Sequence, residues 1–356
     1  MYRKGREIVS RILIPIAVAF FAPVAPVAAH HSEAALDMES VLALEGTVTE
    51  FQWRNPHVYF GVETVSENGE PLTWTVQTSS TISLMRRGWT RDTLAVGDHV
   101  TVTANPARDG RPYAVLDELL EVNGTGGRTA LDHGSTDAPT EQATVIQRAT
   151  TIEGRWLTDT TRLGDFPGGL DELTSELLVL TDAARAAQAA YDEGSADNPE
   201  LRCIGRPTPA MLVYPNYPLE IEFNEADDII HIRGQYMDQE RVVYMDGRAH
   251  PPELERFHEG HSTGTWDGDV LVVDTTNFAE HPSPYQNGIP SGVEKHIVER
   301  FAPADDGTRL VVGFVLEDPE YLAEPFRYRR EFVYSPAADM SPFNCDPEAT
   351  RRFVPD

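Results

Sequence analysis

Apolar and polar residues alternate along several short segments between residues 44 and 122. A period of two predicts β-strands with one buried face, because successive side chains of a strand point to opposite sides. The five predicted strands are residues 44–53, 57–64, 73–78, 98–104 and 114–122. A helix is predicted from Thr81 to Arg87, between the third and fourth strands, and it stops at Gly88. This order of elements predicts a small OB-like Greek-key barrel.

A longer series of alternating segments follows Gly154-Arg155-Trp156, which is itself a predicted strand. One helix is predicted from Asp182 to Asp192, because Thr181 is placed to cap its first turn and Gly194 to end it. The remaining predicted strands are residues 220–223, 229–233, 241–245, 270–276, 296–301, 309–316 and 327–334. These signals predict a mainly β chain whose larger antiparallel barrel has a helical insert and an interior able to hold a ligand.

The stretch from Asn123 to Thr144 lacks this apolar periodicity and is rich in Gly, Thr, Asp and Pro, which is the composition of a linker. We therefore predict two domains after the first 29 residues. They are an OB-like barrel over residues 30–123 and a larger barrel over residues 149–356, joined by a linker over residues 124–148.

The first 29 residues have the pattern of a secretion signal. Four basic residues, the last of them Arg11, precede an apolar run over residues 12–22, and Val27-Ala28-Ala29 supplies the small residues that a signal peptidase reads. The alternative is a membrane anchor, but three prolines between residues 15 and 26 would cost backbone hydrogen bonds that lipid cannot replace. We expect cleavage after Ala29, a periplasmic or secreted protein, and no stable membrane insertion after cleavage.

The charge of the chain narrows the class of its partners. The formal charge is -28, and loss of the leader, with four basic residues and one acidic residue, would change it to -31. Such a chain repels phosphate backbones and anionic lipid headgroups and attracts cations, so nucleic acid is not an expected partner. The simpler interpretation is that the charge serves solubility.

Cys203 and Cys345 are the two cysteines of the chain. In an oxidising compartment they are predicted to form one disulfide, and the alternative is two buried free thiols. Closing so long a loop would stabilise the folded state by about 4 to 5 kcal/mol in the chain-entropy model.

Short motifs in both predicted domains resemble known groups of proteins. In the first domain the motifs are His30-His31-Ser32, Leu44-Glu45-Gly46-Thr47-Val48, Trp53-Arg54-Asn55-Pro56-His57, Arg87-Gly88-Trp89 and Val96-Gly97-Asp98. They resemble an exported bacterial domain family of unknown function. In the second domain the motifs are Tyr244-Met245-Asp246-Gly247-Arg248, Gly260-His261-Ser262, Trp266-Asp267-Gly268-Asp269 and Val298-Glu299-Arg300-Phe301. They resemble uncharacterised proteins of environmental bacteria.

The second domain also resembles the calycins, the group of lipocalins and fatty-acid-binding proteins, through its Gly154-x-Trp156 opening and its Trp266-Asp-Gly-Asp269 hairpin. These resemblances imply a location and folds, and they imply no activity.

The processed N-terminus is a candidate copper site. Cleavage after Ala29 would leave His30 as the first residue, with a free amine and an imidazole that together chelate one ion, and His31 would stand beside it. Nitrogen donors suit Cu(II), and His57 on the second predicted strand is the candidate third donor. The alternative is a solvated chain end without a metal. No nucleotide cofactor is expected.

Five of the eleven histidines, residues 250, 258, 261, 281 and 296, fall within the second domain between residues 250 and 296. At the mouth of a barrel, imidazoles and carboxylates orient a substrate and move protons, so we predict an acid–base site. Its candidate catalytic residues are His250, His261, Asp246 and Glu299, and its candidate ligand-binding residues are Arg248, Trp266 and Arg300. The alternative is histidines and salt bridges that serve the fold alone.

Gly260-His261-Ser262-Thr263-Gly264 matches the Gly-x-Ser-x-Gly motif of serine hydrolases letter for letter. That motif works on a strand-to-helix turn inside a parallel α/β sheet, whereas here the following residues predict a hairpin turn. We therefore do not assign Ser262 as a nucleophile.

The sequence supports three hypotheses for function. The first is an exported protein that binds a small, partly apolar ligand in the larger barrel, with copper at the processed N-terminus. The second is a periplasmic enzyme of the lyase, isomerase or hydrolase type, with His250 or His261 as general acid or base. The third is a structural module that bridges partners in the cell envelope.

Overall fold

The chain folds into two β-barrels, a five-stranded one and a nine-stranded one, as the sequence predicts. A computed structural model describes residues 36–126 except 67, 147–159, and 177–351 except 193, 194, 196, 197, 214–216, 253, 286 and 287. The predicted leader, His30, His31 and most of the predicted linker lie outside the described residues. None of the helices within the described ranges is both long and apolar enough to span a membrane.

The first barrel has the strand connectivity of an OB-fold. Its elements are β1 (Leu42–Gln52), β2 (Tyr59–Val65), β3 (Pro71–Gln77), α1 (Thr81–Arg86), β4 (His99–Pro106) and β5 (Tyr113–Val122), and the two-residue β6 (Thr125–Gly126) extends β5. Strand β1 pairs with β2 and β4 in antiparallel fashion, and a parallel β3–β5 pairing closes the barrel. Inward residues such as Val48, Phe60, Val76 and Val102 form its core because they occupy alternate strand positions.

The second barrel closes nine strands around one large core. They are β7 (Gly154–Thr158), β8 (Leu219–Asn224), β9 (Ile229–Gly234), β10 (Gln239–Tyr244), β11 (His261–Asp267), β12 (Val270–Thr276), β13 (His296–Ala304), β14 (Arg309–Glu317) and β15 (Phe326–Tyr334). The helical insert contributes α2 (Asp182–Ala190) and α3 (Ala210–Val213) between β7 and β8. The predicted strands and helix are confirmed to within a few residues at each end.

Side chains fill the interior of this barrel. Inward-facing residues of its strands, among them Trp156, Ile232, Leu271, Phe301 and Phe332, are almost completely buried and form one cluster. Burial of each large apolar side chain contributes about 1.5 to 3 kcal/mol, so this cluster is the main source of stability. The expectation that the barrel interior holds a ligand is therefore wrong, because side chains occupy it, and the cavity described below opens in the barrel wall.

Strand β11 differs from the sequence prediction. Residues 265–267, which the sequence indicates as part of a turn, belong to a strand that pairs with β12 over seven residues. The inward positions of β11 are Ser262 and Gly264, so the alternation carries no apolar signal. A Cβ atom at Gly264 would collide with Val243 and Met245, and glycine therefore lets β10 and β11 pack closely.

The predicted disulfide between Cys203 and Cys345 is confirmed, with Cα atoms 5.7 Å apart. Cys345 also forms an isolated parallel β-bridge with Asn55, which lies in the loop between β1 and β2. The backbone carbonyl of Asn55 accepts a hydrogen bond of 2.9 Å from the Asp346 amide. Phe343 is buried against Tyr236 of the large barrel. The C-terminal segment, residues 339–351, therefore joins the small barrel to the large one.

Candidate functional site

A cavity of about 520 Å³ opens in the wall of the large barrel, within the size range of small-molecule sites. Strands β10 and β11 are parallel and share only two residue pairs, Val243 with Ser262 and Tyr244 with Thr263. The space lies where β10 separates from the chain that leads into β11. Its lining residues are Cys203, Ile204, Gly205, Met237, Asp238, Gln239, Glu240, Arg241, Val242, Tyr244, Phe257, His258, Glu259, Gly260 and His261.

His261, the first residue of β11, lies on the wall of this cavity. Its ring stacks on Tyr244, with ring centres 5.0 Å apart. The preceding Gly260 has a φ of 74°, and a Cβ atom there would lie 2.8 Å from the Thr276 carbonyl oxygen. Glycine is needed at this turn for both reasons, and the turn sets the position of the His261 ring.

His250 lies next to His261, in the loop between β10 and β11. The two Nδ1 atoms are 2.9 Å apart. The amide of Asn277 donates hydrogen bonds of 3.2 Å to the Pro252 carbonyl and 3.0 Å to the Glu255 carbonyl, which fixes this loop against β12. The loop thereby brings together two histidines that are eleven positions apart in the sequence.

Asp274 and His296 extend this pair into a chain of hydrogen bonds. Oδ1 of Asp274 lies 3.1 Å from Nε2 of His250, and its Oδ2 lies 3.1 Å from Nε2 of His296. Thr263 of β11 is paired with Asp274 of β12, and Asp274 with Val298 of β13, so these side chains share the outward face of the sheet. We call His261, His250, Asp274 and His296 the histidine–aspartate chain.

The hydrogen bonds of the histidine–aspartate chain define which nitrogens carry protons when His250 and His261 are both neutral. Ionised Asp274 only accepts, so His250 donates to it through Nε2 and must accept at Nδ1. His261 then donates through its own Nδ1. Its Nε2 is left with a lone pair, which is the state of a general base.

The electrostatics of the histidine–aspartate chain agree with that arrangement. The hydrogen bond from His296 lowers the pKa of Asp274, and the same bond raises the pKa of His296. Burial, with a smaller contribution from neighbouring His250, lowers the pKa of His261. At neutral pH the chain therefore contains an ionised Asp274 and a neutral His261.

Asp246 and Arg248 form an ion pair that lies against the Tyr244 ring. The Arg248 guanidinium donates Nε to Asp246 Oδ1 at 2.9 Å and Nη2 to Asp246 Oδ2 at 2.6 Å. It also lies 3.9 Å from the centre of the Tyr244 ring. The hydrogen bonds from Arg248 lower the pKa of Asp246 to about 2, so Asp246 stays ionised and orients Arg248.

Three further residues predicted for the site lie elsewhere. Glu299 faces the barrel interior, where it is buried and accepts hydrogen bonds from Arg241, and it does not meet His250. Trp266 packs edge-on against Phe223 near the end of a hairpin. Arg300 donates to Asp267 at 2.6 Å in an exposed ion pair. Glu299 and Arg300 thus point to opposite faces of β13, as alternate strand positions must.

His258 and Glu259 line the cavity, and His281 is buried behind them with its ring centre 5.8 Å from that of His258. Burial lowers the pKa of His281 to about 3, and its Nδ1 accepts a hydrogen bond of 3.1 Å from the Ser283 amide. Ser262 is buried, and its hydroxyl bonds to Thr275 at 2.9 Å. No strand-to-helix turn surrounds Ser262.

The predicted metal ligands are partly described. His57 precedes β2, and its Nδ1 is 3.0 Å from the Thr78 carbonyl oxygen, whereas His30 and His31 lie outside the described residues. Within the part of the chain that the structure describes, no three His, Cys, Asp or Glu side chains are arranged to hold a metal ion. The copper site at the processed N-terminus stays a prediction.

The sequence predicts a role for His250 and His261, includes His296 only among the five clustered histidines, and assigns no role to Asp274 or Tyr244. Asp274 and His296 lie at outward positions of strands that were predicted correctly. Their meeting depends on the register between β11, β12 and β13, which alternation within each strand does not specify. For Asp274 the available signal is its polar side chain in the middle of the apolar Val270–Thr276 segment.

Comparison with known protein families gives a match that includes most of the first barrel. Residues 19–115 match the model of a family of unknown function, DUF6152. No curated protein matches the chain. The family match agrees with the resemblance of the first domain to a family of unknown function, and it assigns no activity.

Proposed function

We propose that the large barrel binds a small, partly apolar molecule in the cavity beside β10 and that His261 exchanges a proton with it. The observation that carries this proposal is the position of His261. It lines the cavity and is linked through His250 to the carboxylate of Asp274. In this arrangement a base faces a space of ligand size while an ionised group orients it from behind.

The proton moves between the bound molecule and Nε2 of His261. On taking up a proton, His261 becomes a cation that still donates through Nδ1 to His250, and His250 donates to Asp274. The negative charge of Asp274 stabilises the cation across two hydrogen bonds. Return of the proton to another atom of the molecule or to a leaving group completes acid–base chemistry of the lyase, isomerase or hydrolase type.

A matched set of variants tests this role. Turnover of a panel of esters, lactones and α-protonated carbonyl compounds is measured for the wild type, His261→Gln and Asp274→Asn. The control is His99→Gln, which changes a histidine of the small barrel that is paired with Glu45. Loss of general acid–base catalysis is expected to lower the rate by about 10²- to 10⁴-fold in His261→Gln and less in Asp274→Asn. Equal rates in all four proteins would refute it.

Binding without turnover is the second candidate function. It is supported by the apolar residues Ile204 and Phe257, which are exposed and line the cavity beside His261. Mass spectrometry of molecules retained by the secreted protein tests it. A ligand retained unchanged by the wild type and equally by His261→Gln would favour a carrier over an enzyme.

The proposed site of action is the periplasm or the extracellular space, as the leader predicts. The disulfide agrees with that location. N-terminal sequencing of secreted protein tests it, and a product that keeps residues 1–29 would refute cleavage.

A further inference from the structure

We propose that the molecule bound in this cavity carries a positively charged nitrogen on an apolar body and that Glu259 and Gln239 bind that nitrogen. The proposal rests on the proposed function, because it names the ligand class of the same cavity. It is carried by an ionisable carboxylate whose hydrogen-bond partners are neutral, an unpaired acceptor beside it, and the exposed aromatic ring of Phe257.

Glu259 is held firmly, and its hydrogen-bond partners are neutral. Its side chain is 13% exposed. Oε2 accepts from the amide and the hydroxyl of Thr208 at 2.7 and 2.9 Å, and Oε1 accepts from Nε2 of Gln239 at 3.2 Å. Within the described residues, the one ion-pair contact is His258, whose Nε2 lies 3.8 Å away. Buried Lys295 interacts with Glu259 electrostatically, but its ammonium group donates to the Thr208 carbonyl.

Gln239 provides a second acceptor beside this carboxylate. Its Nε2 donates to the Arg206 carbonyl and to Glu259, and because both partners are acceptors, the orientation of the amide is defined. The other atom of the amide, Oε1, is buried and has no donor among the described residues, and the residue as a whole is 6% exposed. An unsatisfied buried acceptor costs about 1 to 3 kcal/mol. Gln239 lines the cavity, so a small shift of its side chain would bring Oε1 to an N–H group of a bound ligand and remove that cost.

The remaining walls suit a cation with an apolar body. Phe257 presents an aromatic ring, which attracts cations through its faces, and Ile204 adds apolar surface, whereas the Tyr244 ring is already stacked on His261 and lies against Arg248. Asp238 adds negative charge to the lining, and the charge of Glu240 is paired with Arg233. The positive charge of Arg241 is neutralised by its ion pair with Glu299. An anionic ligand would meet the carboxylates of Glu259 and Asp238 here, in a chain whose formal charge is -28.

Three probes of similar size but different charge test the charge of the ligand. They are phenethylammonium, phenethyl alcohol and phenylacetate, titrated by calorimetry into the full-length secreted protein. Phenethylammonium is expected to bind in the millimolar range or more tightly, and about 10-fold or more better than either other probe. Its trimethylated derivative keeps the charge but has no N–H group for Gln239, so it is expected to bind more weakly. Binding of the alcohol or of phenylacetate as tight as that of the amine, or no binding of the amine, would overturn the proposal.

Variants then locate the charge. Glu259→Gln keeps the size of the side chain and is expected to lower affinity for phenethylammonium about 10- to 100-fold, with no change for phenethyl alcohol. Glu222→Gln removes the same charge from β8, where Glu222 pairs with Arg233, and is the control for long-range attraction. Equal losses in both variants would overturn the assignment to Glu259.

The role of His261 is separable from this ligand class. His261→Gln is expected to keep the preference for the amine over the alcohol while it lowers turnover about 10²- to 10⁴-fold. Loss of the preference in Glu259→Gln alone, with no proton exchange at His261 in any protein, would retain the cationic ligand and refute the enzyme. Turnover of a neutral or anionic substrate that depends on His261 would support the enzyme and refute the cationic ligand.

Discussion

The buried ion pair of Arg241 and Glu299 allows a prediction about the stability of the large barrel that does not involve the histidine–aspartate chain. Both side chains lie inside the barrel, with 1% and 0% of their surface exposed. Arg241 donates both terminal nitrogens to the Glu299 carboxylate, one of them at 2.8 Å. Burial raises the pKa of Glu299 against the opposing effect of Arg241. Removal of either partner would leave the other charge buried and unpaired.

The expected magnitudes follow from this geometry. Arg241→Met and Glu299→Leu are each expected to lower the free energy of unfolding of the large barrel by about 3 to 5 kcal/mol. The double variant replaces the pair with apolar groups of similar size and is expected to lose much less than the sum of the two single changes, or nothing. Phe301 lies beside Arg241, which provides apolar contacts for the new side chains.

Hydrogen exchange measured by mass spectrometry is the suitable assay, because peptides from β13 and β14 report on the large barrel alone. A double-mutant cycle gives the coupling energy between the two residues. A coupling energy near zero, or single variants that cost less than about 1 kcal/mol, would refute the argument that both charges are desolvated. Because Glu299 faces away from the histidine–aspartate chain, the titration of His261 is expected to be unchanged in folded Glu299 variants.

Three other predictions concern the disulfide, the buried histidine and the N-terminus. Replacement of both Cys203 and Cys345 by Ser is expected to lower the free energy of unfolding by about 5 kcal/mol, because the disulfide closes a loop with a sequence separation of 142 residues. Urea unfolding measures this free energy. A loss below about 1 kcal/mol would contradict the prediction. His281 has a folded pKa of about 3 against an ordinary 6.5, so the unfolded chain binds the extra proton and stability falls as pH drops from 6.5 towards 3. His281→Phe should remove about 2.5 kcal/mol of the difference in stability between about pH 7 and about pH 4.5, and an unchanged difference would refute it. Copper titration should show weaker binding when one residue is added before His30 of the processed chain, and equal affinity with identical paramagnetic resonance spectra would end the copper hypothesis.

The sequence predicts the fold well because burial on one face leaves a period of two along each strand. The strands of both barrels other than the short β6 and β11 follow from that period, and the disulfide follows from the cysteine count and the predicted compartment. The candidate site is predicted less well. The clustering of histidines in the sequence indicates His250 and His261, but only the register between strands brings Asp274 and His296 next to them. The chemistry of Glu299 predicts that it lies with His250, but its position on β13 turns it to the opposite face.

The location of the cavity has one topological origin. Every neighbouring pair of strands in the large barrel is antiparallel except β10 and β11, whose parallel pairing extends over two residue pairs. A parallel connection needs a crossover, and here the loop of residues 245–260 provides it and carries His250, His258 and Glu259. Because the pairing is so short, the wall opens beside β10, and the crossover places those groups next to the opening. The inward positions of β11 are occupied by Ser262 and Gly264, which are small or polar. Apolar–polar alternation therefore indicates neither this strand nor the opening beside it.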